Sequence, residues 1–203
     1  MLDIRLMLAS QSPRRRELLT QAGLKFTVEA ADLNEEVLPG EAAAAYVQRL
    51  ALEKAQAVCA RHQGGERVLV LGADTTVVTP DGEILGKPVD AADAARMLGL
   101  LSGRTHVVMT GLAVVWSEAG GQTGFETLSD VELTQVTMNL ISADEIASYI
   151  ASGEPLDKAG AYAIQGLAAR WVTRIEGDYS NVVGLPLARV IAMLAEAGLP
   201  QGY

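Results

Sequence analysis

The 203-residue chain reads as an α/β protein built on a mixed, twisted sheet flanked by helices. Three observations predict this. Short apolar runs alternate with amphipathic segments of helical period along the length of the chain. The most apolar run, Val68-Leu69-Val70-Leu71-Gly72-Ala73, has the character of a buried central strand. Two further strand candidates, Thr105–Trp116 and residues 126–140, are long and face each other across a glycine-rich loop at residues 117–124, as in a β-hairpin. With 49% hydrophobic residues and no linker-like shift in composition, residues 1–203 are expected to form one domain.

Residues 4–8 are mostly apolar and short enough for a first strand. Ser12 then reads as an N-cap, with Pro13 at the first helical position, where its missing N–H is no loss. Leu18, Leu19 and Ala22 give this helix an apolar face, and Gly23 supplies its stop. Arg14, Arg15 and Arg16 stand in its first turn, against the positive end of the helix dipole, at a cost of roughly 0.3–1 kcal/mol each when exposed. A bound anion reverses that penalty. Free N–H groups, the Ser10 and Ser12 hydroxyls and the guanidiniums together make an anion site; the plainer reading is a capped helix with solvated arginines.

Residues 26–30 read as a second strand, followed by the acidic turn Asp32-Leu33-Asn34-Glu35-Glu36. From residue 41 to about residue 61 the pattern is a long amphipathic helix on Tyr46, Val47, Leu50, Ala51 and Val58. Lys54 falls on its apolar stripe, so its ammonium either snorkels past the core edge or points into a pocket. Residues 67–78 form the central strand, interrupted by Asp74. A carboxylate there is costly unless hydrogen-bonded, paired or bound to a metal, which makes it either a satisfied structural acid or a reactive group. The small residues Gly72 and Ala73 leave room for something to approach the backbone.

Thr79-Pro80-Asp81-Gly82 is a turn, and residues 83–85 return as a short strand that carries the chain to Lys87. Asp90 caps a helix running to Leu101, with Gly103 as its stop. In the strand at 126–140, Val131 and Leu133 share one face and Val136 the other. Ser142 and Glu145 make a capping box for a helix bearing Ile146, Tyr149 and Ile150 before Gly153. Residues 153–166 are rich in glycine yet too apolar for a linker, which predicts a packed functional loop. Gln165 in it offers both a donor and an acceptor, as a ligand-reading residue needs; otherwise it braces the loop. Residues 171–176 read as a last strand and residues 186–197 as a closing helix ended by Gly198.

Composition excludes several functions. A lone cysteine, Cys59, forms no internal disulfide or metal knuckle, and two histidines, His62 and His106, make a histidine metal site improbable. A net charge of −9 argues against a nucleic-acid partner and requires a local cationic cluster for any polyanionic substrate. No apolar run approaches the ~20 residues of a membrane span, and no basic-then-apolar leader pattern opens the chain. The expected compartment is therefore the cytoplasm.

The segment Leu8 to Arg15, L-A-S-x-S-P-R-R, resembles the opening signature of the Maf family of nucleoside triphosphate pyrophosphatases. Glu53-Lys54-Ala55, Gly72-Ala73-Asp74-Thr75, Gly86-Lys87-Pro88, Leu101-Ser102-Gly103 and Gly184-Leu185-Pro186 follow in that family's order and approximate spacing. Gly153-Glu154-Pro155-Leu156-Asp157-Lys158-Ala159-Gly160-Ala161-Tyr162 with Ile164-Gln165-Gly166 is similar to the branch that hydrolyses dTTP and UTP. One departure is Ala163, where that branch leads one to expect glycine. The resemblance implies an elongated sheet with two lobes around a central cleft, and cleavage of the triphosphate to monophosphate and pyrophosphate, as housecleaning of normal or modified pyrimidine nucleotides. It implies a divalent metal, Mg or Mn, held by Glu35 and Asp74, with Asp74 as the catalytic base. Substrate would be bound by Ser10, Arg14, Arg15, Lys54 and Lys87, and specificity set by Arg14, Thr75 and Gln165. The partner implied is the nucleoside triphosphate; composition leads one to expect no nucleic-acid and no membrane partner, and any assembly is expected to be a homodimer. The alternatives are the sister branch acting on methylated GTP and a non-catalytic nucleotide-binding regulator of cell division.

Overall fold

The computed structural model describes residues 4–62, 67–117 and 124–200. In chain order the elements are β1 (Arg5–Leu8), α1 (Pro13–Gln21), β2 (Thr27–Val28), α2 (Ala43–Cys59), β3 (Val68–Val78), β4 (Ile84–Leu85), α3 (Ala91–Leu101), β5 (Thr105–Trp116), β6 (Glu126–Met138), α4 (Ala143–Ala151), β7 (Val172–Glu176), α5 (Tyr179–Val183) and α6 (Leu187–Glu196). Among the described residues the strands form one seven-stranded sheet in the order β2-β1-β3-β5-β6-β7, with β4 paired to β3 off that path. β1 runs parallel to β2 and to β3, with Leu8 opposite Val28 and Leu71; β3 with β4, and β6 with β7, are antiparallel. The sheet is therefore mixed, as the alternation of periods predicts.

The chain divides into two compact units. The first comprises Met1–Asp74, Thr110–Glu132 and Gly184–Tyr203, and the second Thr75–Met109 and Leu133–Val183. In the first, α2 lies on the sheet, with Ala51, Ala55, Val58 and Cys59 packed against Met7, Ala9, Val68, Val70, Ala113 and Val115. Two glycines set how closely it lies. A Cβ on Gly72 would stand 2.0 Å from the Ala51 carbonyl oxygen, and one on Gly111 would stand 2.2 Å from the Val47 carbonyl oxygen. What approaches the backbone at Gly72 is thus the helix. Gly72→Ala drives a methyl into backbone that cannot rotate away, and we expect a loss of about 3 kcal/mol in denaturant unfolding, with Gly86→Ala, where a Cβ meets nothing within 4 Å, as the near-neutral control.

In the second unit, Asp90 Oδ1 accepts the Asp93 N–H at 2.8 Å to start α3, and Gly103, at φ +67°, ends it. The capping box of α4 is present: Ser142 Oγ accepts the Glu145 N–H, and Glu145 Oε2 accepts the Ser142 N–H at 2.9 Å. His106, 1% exposed, meets the Tyr162 hydroxyl at 2.8 Å through Nε2, and burial pulls its pKa down to about 4.

Several expectations shift. The second strand shrinks from residues 26–30 to Thr27–Val28, because it is the sheet edge and pairs only two residues with β1. The strand expected to reach residue 140 ends at Met138, where a bulge at Thr137/Met138 breaks register with β7; the Asn139 N–H then donates to the Trp171 carbonyl. Its buried face carries Thr134, Val136 and Met138, leaving Leu133 at 50% exposure. Helix α5 was not anticipated; Asp178 Oδ1, which accepts the Ser180 N–H at 2.7 Å, is the local signal that marks its start. The loop expected at residues 117–124 lies largely outside the described residues.

Candidate active site

The residues that open α1 fold as the capping signature predicts: Ser12 Oγ accepts the Arg15 N–H and Pro13 occupies the first turn. The use of the cations differs. Arg15 is buried, and its guanidinium donates to the Gly184 carbonyl at 2.9 Å through Nε, and to the Ala73 carbonyl at 2.9 Å and Ser10 Oγ at 3.1 Å through Nη1. Burial lowers its pKa, and the charge on Asp74 opposes that shift. Arg15 thereby ties α1 to the strand residue preceding Asp74. Ser10 Oγ also accepts the Ser12 N–H at 3.2 Å, so its lone pairs serve the turn. Arg14 is half-buried beside Arg15, and Arg16 is exposed.

Lys54 does not snorkel. Its ammonium lies 2.7 Å from Asp74 Oδ1 and 2.5 Å from Glu35 Oε1, with side-chain exposures of 9% for Lys54, 12% for Asp74 and 47% for Glu35. The geometry follows from the packing below it. Because Gly72 admits α2 close to β3, the lysine one turn along the helix reaches the carboxylate two residues along the strand. Asp74 is thus paired, as a buried carboxylate must be, and its partner is shared with a second, half-exposed carboxylate.

Two residues that sequence reasoning passed over hold Glu35 in place. The Tyr46 hydroxyl donates to the Glu35 carbonyl at 2.9 Å, and Arg49 Nη2 donates to the Glu36 carbonyl at 3.1 Å. Arg49 is itself fixed by Glu41, through Nε at 2.6 Å and Nη2 at 2.8 Å. Burial first, and then the charges of Asp74 and Glu35, push the Tyr46 hydroxyl up to about 12. The i, i+4 pair Arg49–Glu53 was a readable signal for a structured helix face; that the face reaches back to residues 35 and 36 was not.

The first unit therefore brings together Ser10, Arg15, Glu35, Lys54 and Asp74. Thr75, Lys87 and Gln165 belong to the second. Thr75 follows Asp74 on β3 and is half-buried; Lys87 comes two residues after β4 and is exposed; Gln165 is exposed on the loop before Gly166. Ala163, the departure from the family pattern, is not among the residues with positive φ, so glycine is not required there; Ala161, at φ +58°, carries that conformation instead.

Whether the donor set suits a divalent cation is decided by its chemistry. Among the described residues no group of three or more His, Cys, Asp or Glu gathers. Two carboxylates whose oxygens converge on one ammonium do fit a hard cation such as Mg²⁺, which is commonly held by one or two carboxylates with waters and substrate phosphates completing the shell.

Known proteins resemble this chain over nearly its whole length. A family model described as Maf-like protein matches residues 5–197. The dTTP/UTP pyrophosphatase of Myxococcus xanthus is 55% identical, over 96% of this chain and 93% of its own length. Those of Geobacter sulfurreducens and Koribacter versatilis are 52% and 50% identical, covering 96% and 98% of this chain and 97% of each relative. A solved nucleoside-triphosphatase / dITP/XTP pyrophosphatase from Mycobacterium abscessus aligns over 97% of this chain and 98% of that chain at a TM-score of 0.44 and 17% identity, too distant to carry an argument. With the model match spanning nearly the whole sequence and near-full-length relatives at half identity, the chain belongs to the Maf family.

Proposed function

We propose that this protein hydrolyses dTTP and UTP to the monophosphate and pyrophosphate, the residues 1–203 acting as one catalytic domain. The observation that carries the reading is the Lys54 ammonium shared between the Asp74 and Glu35 carboxylates, in a chain half identical to proteins named for this activity. Asp74 takes a proton from water, whose oxygen attacks the α-phosphorus, and the bond to the bridging oxygen breaks to release pyrophosphate. Lys54 and Arg14 supply positive charge to the phosphates, and Lys87 is assigned the same task from its chemistry and motif. Arg15 acts as the brace that fixes Ser10 and Ala73, and Ser10 still has its hydroxyl proton to donate. Thr75 and Gln165 are assigned to recognition of the base. A divalent cation, Mg or Mn, held by Glu35 and Asp74 would neutralise phosphate charge as it develops. No helix among the described residues is long and apolar enough to cross a membrane.

The test is product chromatography after incubation with a nucleotide panel and Mg²⁺ or Mn²⁺. Monophosphate and pyrophosphate from dTTP and UTP are expected. Release of orthophosphate and diphosphate overturns attack at the α-phosphorus, activity undiminished by chelator removes the cation, and preference for methylated GTP moves the protein to the sister branch.

A further inference from the structure

The motif that begins at Gly153 contains an acid, Glu154, to which the reading above gives no task. Its carboxylate is half-buried and accepts the Tyr149 O–H on Oε1 at 2.7 Å and the Leu167 N–H on both oxygens at 3.1 Å. Tyr149, 1% exposed, accepts the Ala163 N–H on the same hydroxyl at 3.2 Å. Its ring is fixed edge-on against Trp171, with centroids 5.1 Å apart. A single relay therefore holds the backbone two residues before Gln165 and two residues after it. Between those anchors the Gly166 N–H donates to the Ala163 carbonyl at 3.1 Å, closing the turn. Gly166 is the residue that permits the relay, since a Cβ there would stand 2.2 Å from Glu154 Oε1.

This clamp bears on recognition. A glutamine amide that can turn over serves cytosine as well as uracil, because the two bases present opposite donor and acceptor orders on the same edge. Reading one and rejecting the other requires the side chain to be launched from a fixed backbone. We propose that Glu154, acting through Tyr149 and Leu167, is a positioning residue that sets the pyrimidine specificity of Gln165; the inference rests on the reading of Gln165 as the residue that meets the base.

Glu154→Gln keeps the volume and one acceptor oxygen but removes the charge, and it sets an NH2 donor where Oε2 accepts the Leu167 N–H, so the relay is weakened at its Leu167 end. Gly166→Ala displaces the same carboxylate from the other side. Both are expected to lower the ratio of kcat/KM for UTP over CTP about tenfold, the scale of one charge-assisted hydrogen bond, and to speed amide exchange at Leu167. Inhibition by inorganic tripolyphosphate, which has no base, should stay within about twofold of wild type. In a Gln165→Ala background Glu154→Gln should lower the ratio no further. If Gln165→Ala lowers the ratio while Glu154→Gln and Gly166→Ala leave it at the wild-type value, whatever their melting temperatures, the positioning role is overturned and the reading of Gln165 stands. If Gln165→Ala leaves the ratio unchanged, that reading falls and the inference falls with it.

Discussion

Asp74→Asn is expected to lower kcat on dTTP or UTP by about 10²- to 10⁴-fold while the protein stays folded. Asparagine keeps the size and one acceptor oxygen, but it cannot take up the proton of an attacking water, and it is a poor ligand for a hard cation. Survival of the fold follows from how the charge is shared. In the wild type, Lys54 has two carboxylate partners, so after the substitution Glu35, at 2.5 Å, still balances the ammonium. The variant also keeps an oxygen within reach of Lys54, where Asp74 Oδ1 stands at 2.7 Å. The electrostatic support that Asp74 gives to buried Arg15 is lost, which sets the expected fall in melting temperature at a few degrees. Paired measurement of kcat and melting temperature decides the matter. A folded variant that keeps most of its turnover would overturn the assignment of Asp74 as the base.

What the sequence made legible were features that depend on near neighbours. The caps at Ser12, Asp90 and Ser142, and the left-handed glycines at 23, 103, 153 and 198, are local chemistry and stand where the residue types indicate. The long strand at Thr105–Trp116 and the helix over Ala43–Cys59 are periodic over enough residues for the pattern to dominate. Asp74 and Lys54 stood out because each is a charge set in an apolar pattern. The rest depends on partners far away in sequence. Arg15 looks like a solvent-facing phosphate ligand until its contacts with Ala73 and Gly184, 58 and 169 residues distant, are seen. Gly72 looks like an opening for a ligand until the carbonyl of Ala51 fills it. Glu35 reads as one acid in a solvated turn, and only Tyr46 and Arg49, reaching back from α2, give its backbone a fixed place.

Lys54→Met is expected to weaken binding of a non-hydrolysable nucleotide and to lower kcat by about 10²-fold, the scale of removing one electrostatic donor from a transition state. It should also destabilise the protein in the absence of metal, and by more than Asp74→Asn does. Methionine matches the length and apolar stem of lysine, so the packing of α2 on β3 is preserved, but Asp74 and Glu35 are left with oxygens converging on an empty point and no ammonium between them. Removing one partner of a fully buried pair costs about 3–5 kcal/mol; here Glu35 is 47% exposed and can swing toward water, so about 2 kcal/mol is the fitting expectation. The same geometry predicts rescue. In the wild type a divalent cation must compete with the ammonium for both carboxylates, whereas in the variant that ammonium is gone. Addition of Mg²⁺ or Mn²⁺ without nucleotide should therefore raise the melting temperature of Lys54→Met by more than it raises that of the wild type. A variant with wild-type nucleotide affinity, wild-type stability and an unaltered response to metal would mean that the Lys54 ammonium lies in solvent, away from both carboxylates, and the site built around it would have to be abandoned.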